Sequence, residues 1–440
     1  MKRSFLWLFI LMLALSMLIT FSLAGCKGEE TIPAETTAET TVAETAESET
    51  TAVAAEPVTI QFWHNYDAGA GQIDVLNQLI AQFEEANPGI TVNQVYLEWS
   101  ALKNNVVAGA TTGMLPDVLR GDIGFVPQFQ SLDVLVEMDT ALLDYADAAD
   151  AVLEAPNSTA KSGDHYYGIA ANTNTKIFYY NKDLVTTVPA TLDEMWATAE
   201  AVSTKDVTGF CEAWMGGWNL CQYIWSNGGD VLAPDYSTAT GYINGSIAVA
   251  VIQKLADLHA VGAFNGPSID PGAPPDTDGM GTGKYAMTID GPWKAKDLST
   301  KYPDLKYGAV QMPAGSAGSI GVLGGEDFMM FKTSDPAHQD AAWKFIKFMT
   351  GKDAQVEMAK VGQMPVNKEA LADSEVLEAM PLLSIFAEAL KTCKSRPVTP
   401  KWGDMEGIIN TKSTEAVLGQ KPVQTAMDEA ATEINALLQQ

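Results

Sequence analysis

The side chains that do chemistry most often are sparse in this chain, and their spacing organises little of it. His64, His165, His259 and His338 are scattered, with no His-Glu-x-x-His pair for a metal hydrolase and no Gly-x-Ser-x-Gly elbow for a nucleophile. Gly279-Met280-Gly281-Thr282-Gly283-Lys284 has the look of a phosphate loop, but Asp278 stands where its first glycine belongs and Tyr285 follows the lysine in place of Ser or Thr. Asp276 and Asp278 begin like a calcium loop. Met280 then occupies the third ligand position and Met287 the place of the closing Glu. Carboxylate pairs of glycoside hydrolases are defined by distance in space, not by spacing along a chain. The motifs therefore support no catalysis, no metal and no cofactor.

The chain is richer in a different chemistry, that of aromatic planes beside polar groups. Trp63, His64 and Asn65 follow directly on an apolar strand-like run, and Asp117 and Asp122 flank another. Of these two, Asp117 suits a turn or cap and Asp122 a hydrogen-bond acceptor. Gly324-Gly325-Glu326 follows an apolar run, and its glycines free backbone for close approach to a guest. Trp214 and Trp218 lie four apart, a helical spacing that also suits core packing, whereas Trp402 follows Pro400-Lys401 in a loop. Trp196 and Trp343 sit inside amphipathic helices and read as structural. Indole faces with directional carboxylates and amides match a guest that has apolar ring faces and hydroxyl rims, as a sugar does.

These residues must be positioned by something, and the chain falls into three parts. Met1-Lys2-Arg3 followed by an apolar run from Phe5 to Phe21 and the small residues Ala24-Gly25 is a secretory leader, 1–25. Residues 26–56 are nearly all Thr, Ala and Glu, with no aromatic residue and no hydrophobic period, so they form a disordered tether. The remainder, from Pro57, is too long for one ordinary core and predicts two lobes. A formal net charge of −28 excludes nucleic acid as a partner, since phosphate backbones are bound by clustered Lys and Arg. Cys211 and Cys221, nine residues apart in an exported chain, form either a disulfide or two buried thiols; Cys393 is left over in both cases.

Strands alternate with helices along the body. Val58–Phe62 is a strand, and Ile73, Leu76, Leu79, Ile80 and Phe83 recur at helical spacing until Asn87-Pro88-Gly89 stops the helix. Ile90–Leu97 (strand), Trp99–Thr112 (helix) and Asp117–Leu119 (strand) continue the pattern. It resumes with Ile177–Tyr180, Leu192–Val202, Ile247–Val261, Tyr285–Ile289 and a closing helix over Val423–Leu438. The expected class is α/β, with mostly parallel sheets flanked by helices and guests bound beyond the carboxyl ends of the strands.

Four stretches carry a resemblance. Leu23-Ala24-Gly25-Cys26 resembles the bacterial lipobox, which implies that Cys26 is lipidated and becomes the first residue of the mature chain. Leu115–Pro127, Gly283-Lys284-Tyr285-Ala286-Met287-Thr288-Ile289-Asp290-Gly291-Pro292-Trp293 and Ala341–Pro365 together resemble the maltose-binding-protein-like class of extracellular solute-binding proteins. Tyr179–Leu184, Arg396-Pro397 and Trp402 add to it, in family order across the whole body.

The resemblance implies a two-lobed periplasmic-binding-protein-like fold hinged between lobes, one of 57–171 plus 324–370 and the other of 172–323 plus 371–440. It implies Trp63, Asn65, Asp122, Asn172, Trp293, Glu326 and Trp402 as ligand-binding residues, with His64, Asp117, Thr175, Trp214, Trp218 and Gly325 as weaker candidates. Trp293 matches a family tryptophan that stacks on a sugar ring. Asn172 and Thr175 stand in a region where a family member has Glu. The implied role is capture of a sugar or short oligosaccharide by a monomer, exported and held to the outer face of the membrane through Cys26, with delivery to ABC permease subunits. Competing readings are a glycerol phosphate or polyamine receptor, or a tethered carbohydrate-active enzyme.

Overall fold

Alternation along the first strand sets the first core. β1 (Val58–His64) buries Ile60, Phe62 and His64 and pairs in parallel with β2 (Ile90–Tyr96) and β3 (Val118–Asp122). The structure, a computed structural model, describes residues 56–68, 71–333 and 335–439; the leader, Cys26 and all but the last residue of the expected tether lie outside them. Helix Gln72–Ala86 covers the sheet with Leu76, Leu79, Ile80 and Phe83. It ends at Asn87, whose side chain donates to the Phe83 carbonyl at 2.8 Å. Phe345, on helix Pro336–Thr350, meets Phe62 and Phe83 edge-on at 5.1 and 5.2 Å. Burying each ring contributes about 1.5–3 kcal/mol.

Two five-stranded sheets organise the body, with a two-residue hairpin, β4 (Lys161–Ser162) and β5 (His165–Tyr166), beside the first. The first sheet also contains β6 (Gly168–Asn174) and, paired antiparallel between β3 and β6, the late strand Gly324–Met330. The second is built from β7 (Ile177–Asn181), β8 (Thr208–Cys211), β9 (Phe264–Asn265), β10 (Tyr285–Asp290) and β11 (Tyr307–Val310), in the order β11-β7-β10-β8-β9. The late strand is β12. Each sheet is mixed, because β12 and β7 each run against the other four. Both reversed strands are the ones that arrive from the other sheet. A strand entering at the edge where its neighbours end must run against them.

The chain passes from the first sheet to the second through Thr175 and Lys176 alone, since 172–174 still belong to β6; the crossover thus falls three residues beyond the expected 171/172 boundary. It returns through 311–323. Thr175 Oγ1 donates to the Val322 carbonyl at 2.8 Å, Leu323 N to Lys394 O and Lys394 N to Gly321 O, both at 2.9 Å, so three passages run side by side. A Cβ on Gly321 would stand 2.8 Å from Thr175 Oγ1, which keeps that position to glycine. One apolar cluster joins Val356, Ala359 and Met364 to Ile177, Tyr179, Val376 and Phe386, packing the seam.

The second core gathers Trp196, Phe210, Tyr223 and Phe264, with Phe210 and Phe264 stacked at 5.7 Å and Trp196 edge-on to Phe210 at 5.5 Å. Helix Leu192–Val202 begins with a capping box: Thr191 Oγ1 accepts from Glu194 N and Glu194 accepts from Thr191 N. Two expectations need correction. The apolar run before Gly324 is not a strand; β12 starts at the glycines, where small residues admit close pairing with β6. Trp402 is not in a loop but is the first residue of helix Trp402–Val417. Of the two alternatives for Cys211 and Cys221, the structure has buried free thiols, one ending β8 and the other inside helix Gly217–Ser226. Among the described residues no helix is long and apolar enough to cross a membrane.

Candidate functional site

The carboxyl ends of β3 and β6 and the first residues of β12 meet at one edge of the first sheet. There Glu326 pairs in register with Asp122 and with Asn172, and Gly324 with Asn174. Gly325 takes φ +141°, and any Cβ there would collide with the Asn172 carbonyl. Facing this edge, a cavity of about 320 Å³ is lined by Trp99, Asp122, Asn174, Trp214, Trp218, Trp293, Gly325, Glu326 and Arg396. A second cavity of about 220 Å³ shares Trp99, Asp122, Trp214 and Arg396 with it and adds Lys103, Phe125, Trp402, Glu406 and Asn410 among others.

The indoles reach the cavities by a common device. Trp99, Trp293 and Trp402 are each the first residue of a helix and Trp218 the second of one, so their helices point their amino ends at the cleft. Such ends carry unpaired N–H groups and a positive partial charge that suit an electronegative guest. The rings also lie against glycines: Trp214 on Gly216, Trp218 on Gly324, Trp293 on Gly291 and Trp402 on Gly217, in each case leaving no room for a Cβ.

The polar wall is held by Arg120, which is 2% exposed. Its guanidinium donates to Asn65 at 2.7 Å, Asn172 at 2.9 Å, Glu326 at 2.8 Å and Gln363 at 2.7 Å, and lies 4.2 Å from the centre of the Tyr66 ring. Across the cavity Arg396 donates to both oxygens of Asp122, at 2.7 and 2.9 Å, and sits 5.4 Å from the Trp218 ring. Lys176 pairs with Glu212 at 3.5 Å and lies 5.6 Å from the same ring. Burial pushes the carboxyls of Glu212 and Glu406 above the usual range, against the pull of Lys176 and Arg396 respectively. Behind Trp293, buried Lys294 pairs with Asp276, with Asp290 at 2.9 Å and with Thr277 at 2.8 Å, fixing the start of that helix. Three buried polar atoms of cavity-lining residues have no partner: Asn174 Oδ1, Arg396 Nε and Trp402 Nε1.

Of the residues expected from sequence, Asp122, Trp214, Trp218, Trp293, Gly325, Glu326 and Trp402 line the two cavities. Asn65 and Asn172 stand behind them as acceptors of Arg120. Trp63 is not among the lining residues; it packs half-buried against the apolar cluster that contains Leu119, Phe129 and Phe331. His64 is buried against Gln94, and burial brings its imidazole down to about 4. Asp117 accepts from the Gln61 amide at 2.7 Å and from His338 at 2.9 Å, and Thr175 binds the crossover. Glu137, Asp139 and His165 bring three ligand-type atoms within 4.8 Å of one another near β5, apart from the cavity linings. Sequence reasoning missed Trp99, Asn174, Arg396 and the hub role of Arg120. The only available signal was the late Arg396-Pro397 pair.

The family model for bacterial extracellular solute-binding proteins matches residues 78–383. The maltooligosaccharide ABC transporter solute-binding lipoprotein of Streptococcus pneumoniae is 25% identical over 361 residues, 75% of this chain and 78% of that protein. The ABC substrate-binding protein of Listeria monocytogenes, solved with cycloalternan, superposes with a TM-score of 0.78 at 19% identity over 87% of this chain and 99% of that one. The maltose/maltodextrin-binding domain of Bdellovibrio bacteriovorus, bound to maltotriose, gives 0.75 at 22% identity over 87% and 100%. These two likenesses establish the two-lobed fold. With its matched span, its sheets and its cleft, the chain belongs to the bacterial extracellular solute-binding protein family.

Proposed function

We propose that this protein captures a sugar or short oligosaccharide between its lobes and delivers it, through hinge closure, to the permease subunits of an ABC importer. The observation that carries the reading is the pair of facing walls: indoles of Trp214, Trp218 and Trp293 on one side, Glu326 and Asn174 on the other. Ring faces stack on the first and hydroxyls bond to the second. The relative named for maltooligosaccharides supports the same class of guest.

Charge pairing favours a neutral guest. Among the described residues that line the 320 Å³ cavity, Glu326 is matched by Arg120 and Arg396 by Asp122, and Lys176 beside Trp218 is matched by Glu212, so this cavity offers neither a spare cation for glycerol phosphate nor a spare carboxylate cluster for a polyamine. The moving bodies are 57–174 with 324–370 and 177–323 with 371–440, turning about the passages at 175–176 and 321–323, against which Lys394 of the second body is hydrogen-bonded. A lipid on Cys26 anchors the monomer, and the segment to Pro57 gives it reach.

A thermal-shift screen tests the reading, because a guest that binds only the folded state raises the melting temperature. Maltotriose or another neutral oligosaccharide is expected to raise it by several degrees, with glycerol 3-phosphate and spermidine inert. A shift with either charged compound and none with any sugar would refute the proposal. Chromatography of the sugar after long incubation should show it intact; released product would favour the enzyme.

A further inference from the structure

The cleft residue that sequence reasoning offered as a hydroxyl acceptor, Asp122, has its acceptors already occupied. Its Oδ1 and Oδ2 lie 2.7 and 2.9 Å from Arg396 Nη2, and Oδ1 also accepts the Gly124 amide at 2.7 Å. Asp122 ends β3 of the first lobe. Arg396 rides on the segment between Lys394, which is bonded to the crossover at Gly321 and Leu323, and helix Trp402–Val417 of the second core. On that side the guanidinium is braced against the Trp218 ring, and the Trp218 amide is held by Glu406 at 2.9 Å. The pair therefore spans the cleft, in a wall common to both cavities.

We propose that Asp122 and Arg396 form an interlobe latch, which stabilises the closed arrangement directly and so governs how long a guest stays. Other contacts cross the cleft nearby, but they are weaker by their chemistry. Lys103 and Asp404 stand 3.4 Å apart with side chains 19% and 56% exposed, and exposed pairs contribute little. Trp99 and Trp214 touch edge to face at 6.4 Å. The Asp122 and Arg396 side chains are 13% and 4% exposed, and unpairing one of two buried charges strongly disfavours the state that buries the other. The latch acts on the equilibrium between open and closed forms and rests on the hinge-closure reading above.

Spin labels introduced by non-cysteine chemistry at the exposed Leu143 and Val261, one per lobe, report the interlobe distance in the full chain. Asp122→Asn keeps an oxygen for the Gly124 amide and removes the charge. Without added sugar it is expected to shift the distance distribution toward the open form by about tenfold in population, and to speed maltotriose release about tenfold with entry changed less than threefold. The double variant Asp122→Arg, Arg396→Asp should recover the short distance and slow release. Asp404→Asn, which unpairs the exposed Lys103–Asp404 contact from outside the cavity linings, should stay within twofold of the parent on both measures, which keeps the test decisive if the reversed pair does not fold. Unchanged distances in Asp122→Asn would overturn the latch, and faster release with unchanged distances would make Asp122 a guest contact instead. The distances are read without sugar. Failure of the parent chain to bind any sugar therefore counts against the proposed function and leaves the latch comparison intact.

Discussion

The two walls of the cleft solve the same positioning problem by different means. In the first lobe the polar groups of the cavity lining sit on strand ends, with Trp99 the one indole beside them: Asp122 closes β3, Asn174 closes β6 and Glu326 lies at the start of β12. Sheet register aligns them, and one buried arginine ties Glu326 to Asn65, Asn172 and Gln363 behind it. In the second lobe the groups are indoles in the first turns of helices or just before one, each resting on a glycine. A strand end places a small polar group to within a fraction of an ångström because its neighbours are hydrogen-bonded to it. A helix start lets a large flat ring project past its own backbone. Directional groups are thus on the stiffer support, and forgiving stacking surfaces are on the other.

The comparison breaks most visibly at Arg120. Arg120→Met should unmake the polar wall, leaving Glu326, Asn65, Asn172 and Gln363 without their common donor. The expected cost is about 3–5 kcal/mol of folding stability, read by urea denaturation, with loss of sugar binding. A variant that unfolds like the parent would show that register alone aligns this wall. On the aromatic side no single ring is so central. Trp293→Ala should weaken sugar binding about 30-fold, or about 2 kcal/mol, by calorimetry, while the melting temperature moves little.

Trp63 sharpens the contrast because it is a tryptophan at a strand end, outside the cavity linings. Trp63→Ala should cost about 1–3 kcal/mol of stability through lost packing against its apolar cluster and leave sugar affinity within twofold. A large affinity loss would place strand-end aromatics in the site after all.

Asp327 gives the smallest effect and the cleanest sign. It follows Glu326 but is fully buried, with Thr159 at 3.2 and 3.3 Å as its hydrogen-bond donor, and burial holds its carboxyl well above the usual range. The folded state therefore keeps a proton that the unfolded chain releases above about pH 4. Its contribution is fully present below that pH and is lost as pH rises toward the folded value. Asp327→Asn should flatten that decline, measured as the difference between variant and parent melting temperatures from pH 4.5 to 7.5. A difference independent of pH would mean that Asp327 is charged in the folded state.

Strand ends were the legible part of the site. Apolar alternation located β1 and β3, and with them Asp122; the glycines before Glu326 located the third strand end, though not the strand itself. Helix starts were not legible in the same way. A tryptophan in a first turn has no apolar partner one turn before it, so Trp402 after Pro400-Lys401 reads as a loop residue and Trp99 as an ordinary helix member. Arg120 was hidden for a different reason: its partners at 65, 172, 326 and 363 come together only when four separate segments pack, and no spacing rule connects them. Cys211 and Cys221 show the converse, since nearness in sequence did not make them partners.

The central claim is that a single neutral guest touches both walls at once. It is tested most directly by a crystal structure with the sugar that raises the melting temperature most. The account predicts pyranose faces against Trp218 and Trp293, with hydroxyls bonded to Glu326 and Asn174. A sugar seated on one lobe only, or outside the two cavities, would contradict it.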